Sequence, residues 1–188
     1  MAARDLKEEL LRRMDLDQSA RAEVQDLPDE ARLDRWPSVA RIDHDNTAWL
    51  ATIIASGGWP RISDVGEQGA TAAWILAQHS DDAPAVQREF HQHMAAAAAC
   101  GEAEPRLLAY LEDRIRVNAG RPQLYGTQFI TVGNGEPQPR PIHDRESLDQ
   151  RRASVGLEPF ADYAATMRSD WTRRQTADTT RPHDQPGG

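Results

Sequence analysis

The stretch GEQGATAAWILAQH, residues 66–79, decides the fold because it predicts a helix that is apolar on most of its surface. At about 100° per residue, its alanines and the large side chains of Trp74, Ile75 and Leu76 point in nearly every direction around the helix axis. A helix without a polar face is usually central in its domain. We therefore expect residues 66–79 to form the central helix of a mainly α-helical protein.

Apolar spacing predicts an amphipathic helix at the start of the chain. Leu6, Leu10 and Met14 recur at helical spacing, and the helix that they predict covers residues 4–24. Its apolar stripe is narrow, so one face of this helix should contact the core and the other should meet water.

Prolines, glycines and capping residues mark the next boundaries. Residues 26–43, with two prolines, predict a polar connection to a second helix that begins at Asp45, a favoured N-cap. The segment SGGWP at residues 56–60 ends that helix, because glycine followed by proline is a strong stop signal. Pro84 and Pro105 suit the first turns of two more helices, which should end near the glycines that follow them.

The pattern changes in residues 123–142, QLYGTQFITVGNGEPQPRPI. Apolar and polar residues alternate in this segment, and residues with high β-propensity are frequent. The GNG sequence at 133–135 is a turn signal, so we predict a small β-hairpin. A short helix at 144–156 and a last helix at 159–171 complete a single domain over residues 1–171. The polar residues 172–188 predict a disordered tail.

Bulk composition limits the class of protein. The chain has 188 residues, 39% hydrophobic, and a formal net charge of -8, which suits one domain with its own core. The acidic balance counts against nucleic acid or an anionic membrane as a partner. The single cysteine, Cys100, excludes an internal disulfide and a cysteine zinc cage. The charged N-terminus lacks an apolar signal core, so we expect a cytoplasmic protein.

Several polar side chains fall on apolar helical stripes or at their edges, and they define a candidate site. These residues are Asp17, Gln18 and Arg21 in the first helix, Asn46 in the second, Arg114 in the fifth and Arg152 in the sixth. Buried polar groups are costly unless they are hydrogen-bonded, so they must meet each other, water or a ligand. A shared polar pocket and a purely structural network both satisfy that requirement. On the helical wheel, Asp113 points roughly away from the apolar face of the fifth helix, so Arg114 is the residue expected to point inward.

Gln78 and His79 follow the central apolar run directly. The C-terminal end of a helix favours a protonated imidazole, and the neighbouring Asp81 and Asp82 strengthen that effect. His79 is therefore a candidate proton-transfer group. The alternative is a histidine that merely caps exposed carbonyls.

Other motifs give little support for a metal or a cofactor. His91 and His93 would lie about 200° apart on a helix, so they do not form a chelating pair. The sequence contains no HExxH, phosphate-binding loop, dinucleotide glycine fingerprint or GxSxG motif. We therefore expect no cofactor. The pair Arg151 and Arg152 could hold an anion, or could be one solvated and one ion-paired arginine.

The spacing of short motifs resembles domain of unknown function 6624, a mainly bacterial family. The matching residues are Asp17-Gln18, Gly58-Trp59-Pro60, Gln78-His79-Ser80-Asp81, Gln87, Asp113-Arg114, Tyr125-Gly126-Thr127-Gln128, Arg151-Arg152 and Gly156-Leu157. The resemblance covers residues 5–165, with Ser80 where the family usually has alanine. It implies that Asp113 matters despite its outward position. Either its helix is covered on both faces, or Asp113 supports Arg114.

The first functional hypothesis is a small cofactor-independent enzyme that performs hydrolysis, dehydration or cyclisation of a small metabolite or peptide. In this hypothesis His79 transfers a proton, Arg114 holds an anionic group or oxyanion, and Asp81 or Asp113 tunes the histidine. The expected substrate-binding residues are Gln78, Tyr125, Gln128, Asp17, Gln18, Arg21, Asn46 and Arg152.

Two other classes of function stay open. The chain could be a protein-binding or immunity-type module in which the polar cluster is structural. It could also hold an oxygen-preferring metal ion with His79 and one of Asp81, Asp113 or Asp17. A solvent-connected pocket over His79 and Arg114 would favour the enzyme, whereas a sealed and fully paired network would favour the module.

Overall fold

The computed structural model describes residues 3–25, 27, 29–133 and 135–179, and over these residues it confirms a mainly α-helical fold with a small hairpin. The elements are α1 (Ala3–Gln25), α2 (Asp29–Gly57), α3 (Ile62–Gln78), α4 (Pro84–Ala99), α5 (Pro105–Asn118), β1 (Phe129–Ile130), β2 (Gln138–Pro139), α6 (Leu148–Ser154) and α7 (Phe160–Thr179). Within the described residues, no helix is both long enough and apolar enough to cross a membrane.

Helix α3 lies at the centre of the core, as its apolar surface predicts. It contacts α1, α2, α4 and α5, and Ala72, Ala73 and Leu76 are almost completely buried. The small alanine side chains let the neighbouring helices approach closely on several sides. The helix begins four residues earlier than expected, because a short helical segment precedes Gly66 and is continuous with the rest. Gly66 itself has a non-helical backbone, with φ of 71°, so the helix is kinked there.

Helix α2 is longer than the sequence predicts. Residues 29–43, expected to be a connection, are helical, and Pro37 lies inside the helix. Val39 is fully buried in this segment, and Arg32 donates to the carbonyls of Gln25 and Leu27 at 3.2 and 3.1 Å. Tertiary packing of the early part of α2 therefore outweighs the helix-breaking tendency of an exposed proline.

The predicted hairpin is present but short. Strands β1 and β2 are antiparallel, with Phe129 opposite Pro139 and Ile130 opposite Gln138. The turn expected at 133–135 includes residue 134, which lies outside the described residues. Beyond the hairpin, α7 continues to Thr179 and so includes the first part of the expected tail, while residues 180–188 lie outside the described residues.

Candidate functional site

The residues after the C-terminal end of α3 serve two polar clusters. Helix α3 ends at Gln78, and the amide of His79 donates to the Ile75 carbonyl at 3.1 Å. The side chain of His79 meets α1, whereas that of Asp81 meets α5. The histidine cluster is defined as Asp17, Gln18, Arg21, Asp43 and His79. The Asp81 cluster is defined as Asp81, Gln87, Arg114, Asn118 and Gln128.

Asp17 and His79 form a carboxylate–imidazole pair in the histidine cluster. The Asp17 side chain is fully buried, and both of its oxygens lie 3.0 Å from Nδ1 of His79. Because a carboxylate only accepts hydrogen bonds, Nδ1 carries a proton in this pair. Nε2 is then the basic ring atom, and it has no hydrogen-bond partner within the described residues. The His79 side chain is 20% exposed, so solvent reaches the imidazole.

Arg21 joins this pair to a second carboxylate. Its Nε donates to Oδ1 of Asp17 at 3.1 Å, and its Nη2 donates to Oδ1 of Asp43 at 2.5 Å. Nε also lies 3.1 Å from Nδ1 of His79, but both nitrogens carry hydrogens, so the shared acceptor is Asp17. Asp43 was not among the residues predicted from the sequence. It precedes Asn46 by three residues and would have been found on the same stripe had α2 been expected to begin earlier.

The two carboxyl groups of the histidine cluster have opposite pKa shifts. Burial raises the pKa of Asp17, but the hydrogen bond from His79 and the charges of His79 and Arg21 outweigh burial, so that pKa is lowered. Burial also raises the pKa of Asp43, and there Arg21 offsets only part of the effect, so the pKa remains raised. Of the two carboxyl groups, Asp17 is therefore the one whose ionised form the folded protein stabilises.

The Asp81 cluster ties the α3–α4 turn to α5. Nε of Arg114 lies 3.0 and 3.1 Å from the two oxygens of Asp81, and Nη2 also donates to this carboxylate. Asn118 and Gln87 donate to Asp81 at 2.7 and 3.1 Å. Burial raises the pKa of Asp81, but Arg114 and the other donors outweigh it and lower that pKa. The guanidinium of Arg114 is thus largely committed to Asp81.

Gln128 is the loop residue that reaches the Asp81 cluster. Its Oε1 lies 3.4 Å from Nη1 of Arg114, a long contact that leaves this nitrogen weakly bonded. Its own backbone is held by Gln123, which is fully buried and was not singled out in the sequence. No sequence signal distinguishes Gln123 from other polar residues of the loop, because its partners lie on both sides of the hairpin.

The outward orientation expected for Asp113 is wrong. Its side chain is fully buried and accepts hydrogen bonds from the backbone amides of Leu124, Tyr125 and Thr127 and from the Thr127 hydroxyl. Burial raises the pKa of Asp113, and these hydrogen bonds offset only part of that effect. Helix α5 is therefore covered on both faces. Asp113 holds the loop that carries Gln128, and it does not contact His79.

The arginine pair supports the same loop. Arg152 is fully buried and donates to the carbonyls of Tyr125 and Glu158, each at 2.6 Å. Arg151 donates to the Leu124 carbonyl at 2.9 Å. These contacts are structural, because the guanidinium groups replace backbone donors that an irregular loop lacks. Gly126 lets the loop backbone pass close to the Phe160 ring. Its φ is 73°, and a Cβ at this position would lie 2.8 Å from that ring.

The remaining predicted site residues lie at the edges of these clusters. Asn46 is buried and accepts from Arg13 at 2.9 Å, so it joins α2 to α1. Gln78 is partly exposed, yet its Oε1 is buried and has no hydrogen-bond partner within the described residues. Tyr125 is half-buried, and burial raises the pKa of its phenol. Its backbone, rather than its side chain, carries the contacts to Asp113 and Arg152.

One of the expected combinations of metal ligands, His79 with Asp17, is present, and Asp43 joins it. Among the described residues, Asp17, Asp43 and His79 offer ligand atoms within 4.8 Å of one another. Asp81 lies in the other cluster and Asp113 in the loop scaffold. The imidazole of His91 pairs with Glu112 at 3.1 Å, while His93 is exposed, so the two histidines do not form a joint site.

Comparison with known proteins identifies the family. The chain matches the family of unknown function DUF6624 over residues 4–173, and it belongs to that family. No curated protein and no solved structure matches the chain.

Proposed function

We propose that this chain is a small enzyme that transfers protons without a cofactor, using Nε2 of His79 as the proton-transfer atom. The Asp17–His79 pair supports this proposal. A buried carboxylate that accepts from Nδ1 fixes the tautomer and the orientation of the ring, and it stabilises the imidazolium that forms when Nε2 takes a proton. This arrangement suits a general base in hydrolysis, dehydration or cyclisation of a small metabolite or peptide.

The two polar clusters have different roles in this proposal. Arg21 holds Asp17 in place and connects it to Asp43. Arg114, expected from the sequence to bind an anionic group, instead anchors Asp81 and so fixes the turn that follows His79. Its Nη1, with one long contact to Gln128, is the part of the guanidinium that could meet a substrate.

Exposure favours an enzyme over a protein-binding module with a sealed polar network. The side chains of His79 and Arg21 are 20% and 22% exposed, and that of Arg114 is 35% exposed. A buried structural network would exclude water from these groups. The binding module predicts instead that substitution of His79 lowers the melting temperature while partner binding persists.

The test is turnover of a panel of small amides, esters and hydroxy acids by the wild type and by His79→Gln. We expect His79→Gln to lose roughly 10²–10⁴-fold in kcat/KM, because a positioned general base contributes about that factor. His93→Gln, at an exposed histidine of α4, is the matched control and should retain activity. Circular dichroism and thermal melting establish that both variants fold. Equal turnover by wild type and His79→Gln would contradict the proposal.

A divalent metal site is the second candidate, favoured by the proximity of Asp17, Asp43 and His79. Arg21 counts against it. Its Nη2 lies 2.5 Å from Asp43 and its Nε 3.1 Å from Asp17, so a cationic group already neutralises this region. A metal ion would have to displace the guanidinium. Stoichiometric metal in the purified protein, measured by elemental analysis, would support this candidate over the first.

A further inference from the structure

An open cavity of about 220 Å³ lies beside the histidine cluster. Among the described residues, its lining consists of Arg21, Val24, Gln25, Arg32 and Trp36. Arg21 belongs to both places: it lines the cavity and donates to Asp17, the partner of His79. A molecule in the cavity would therefore lie next to the proposed proton-transfer pair.

The size and chemistry of the cavity suit one aromatic ring. A buried apolar cavity of about 150 Å³ is known to hold benzene, so a cavity of about 220 Å³ has room for a ring with a short substituent. Val24 is buried in its wall, and Trp36 is 49% exposed. A half-exposed indole offers a planar surface for a second ring, in stacked or edge-on geometry.

Arg21, Gln25 and Arg32 are the polar residues of the lining, and Arg21 is the one that also contacts Asp17. Its Nε and Nη2 donate to Asp17 and Asp43, whereas Nη1 has no hydrogen-bond partner within the described part of the chain. The Arg21 side chain is 22% exposed, so Nη1 is the donor left for a ligand oxygen. Two carboxylates face this guanidinium, and Arg32 adds a second positive charge to the wall, so these charges balance and an anion gains no net attraction to offset the cost of leaving water. A neutral carbonyl oxygen can accept the hydrogen bond without that penalty.

We infer that the cavity binds a neutral aromatic carbonyl compound, an aryl amide, ester or ketone, with its ring against Trp36 and its carbonyl oxygen on Nη1 of Arg21. This inference names the substrate class of the enzyme proposed above and rests on that function for its catalytic meaning. The binding itself requires only the cavity, Trp36 and Arg21.

The experiment measures binding of phenylacetamide, phenylacetate and acetamide to the full chain by ligand-observed NMR titration. We expect saturable binding of phenylacetamide, weaker binding of the anionic phenylacetate, and none of acetamide, which lacks the ring. Trp36→Ala should weaken phenylacetamide binding about tenfold, as expected for loss of one aromatic contact and its buried surface. Leu33→Ala is the matched control, because Leu33 is 77% exposed on the same helix and does not line the cavity.

Three results would overturn the inference. They are unchanged phenylacetamide binding in Trp36→Ala, phenylacetate binding as tight as phenylacetamide binding, and no saturable binding of phenylacetamide up to its solubility limit. His79→Gln separates this inference from the proposed function. If this variant binds phenylacetamide as the wild type does, and its turnover of the amide and ester panel equals that of the wild type, the proposed catalytic role fails while the binding assignment stands.

Discussion

At Asp113, one carboxylate holds much of the loop that follows α5. Its Oδ1 accepts from the amide of Leu124 at 2.6 Å, and its Oδ2 accepts from the amide and the hydroxyl of Thr127, both at 3.0 Å. Tyr125 contributes a further amide at 3.0 Å. A buried loop needs acceptors for its amides, since it lacks the regular bonds of a helix or sheet. Asp113 supplies them, and its burial follows from that role.

Asp113→Asn should lower the free energy of unfolding by about 2–4 kcal/mol, because the amide group of asparagine faces loop N–H donors and leaves one or two of them unpaired. Chemical denaturation with far-ultraviolet circular dichroism measures the change. Asp149→Asn is the control. Asp149 is exposed and accepts one backbone hydrogen bond, from Phe160 at 2.8 Å, so its substitution should cost less than about 1 kcal/mol. Equal losses in the two variants would refute the role of Asp113.

Helix α2 shows how an element's length can change a candidate site. The helix includes residues 29–43 despite Pro37, and this early part positions Asp43 to meet Arg21 at 2.5 Å. A helix that began at Asp45 would leave Asp43 in a connection. Proline lacks an amide hydrogen and crowds the preceding turn, so local propensity argues against the observed helix. Packing of buried Val39 favours it.

Pro37→Ala should therefore raise the free energy of unfolding by about 1–3 kcal/mol, because alanine restores an amide donor and a high helix propensity at an exposed position. Urea denaturation of wild type and variant measures the difference. Ser38→Ala, the neighbouring change on the same helix, controls for general gains from alanine. No gain in Pro37→Ala relative to Ser38→Ala would mean that residues 29–43 behave as the connection that the sequence predicts.

Over the whole molecule, two polar clusters connect the end of α3 to α1 and to α5, and the carboxyl groups in and near them have pKa shifts in opposite directions. The pKa values of Asp17 and Asp81 are lowered, whereas those of Asp43 and Asp113 are raised. A lowered pKa stabilises the folded state above the group's ordinary pKa, and this stability is lost as pH falls through the lowered value. A raised pKa has the opposite effect, with stability lost as pH rises through the raised value.

Asp81→Asn tests this linkage. At neutral pH the variant should be less stable than the wild type, because the ionised Asp81 is held by Arg114 and its neighbours. As pH falls below the ordinary pKa of an aspartate, about 3.9, and through the lowered pKa of Asp81, the wild type loses this contribution and the difference should shrink. Urea denaturation across that range measures it, and Asp82→Asn, at an exposed neighbouring position, controls for the change in net charge. A stability difference that grows on acidification would contradict the shift.

Local patterns predicted most of the helices because apolar periodicity and turn residues act over a few positions. The ends of α4 and α5, and the central position of α3, follow from them. The candidate site was predicted less completely. His79 and Asp17 were both singled out, but the sequence suggested Asp81 or Asp113 as the acid that tunes the histidine. A helical wheel describes one helix, whereas the partner of His79 lies on another.

The sequence by itself determined the helical class, the central helix, the family and the place where polar residues end the apolar run. Those features depend on residue order and spacing over short distances. Only the tertiary structure decided that Asp17 meets His79, that Asp113 holds a loop, and that the arginine pair binds backbone carbonyls. These contacts join residues 11 to 62 positions apart, beyond the reach of helical periodicity, so they exist only after the chain has folded and brought the two groups together.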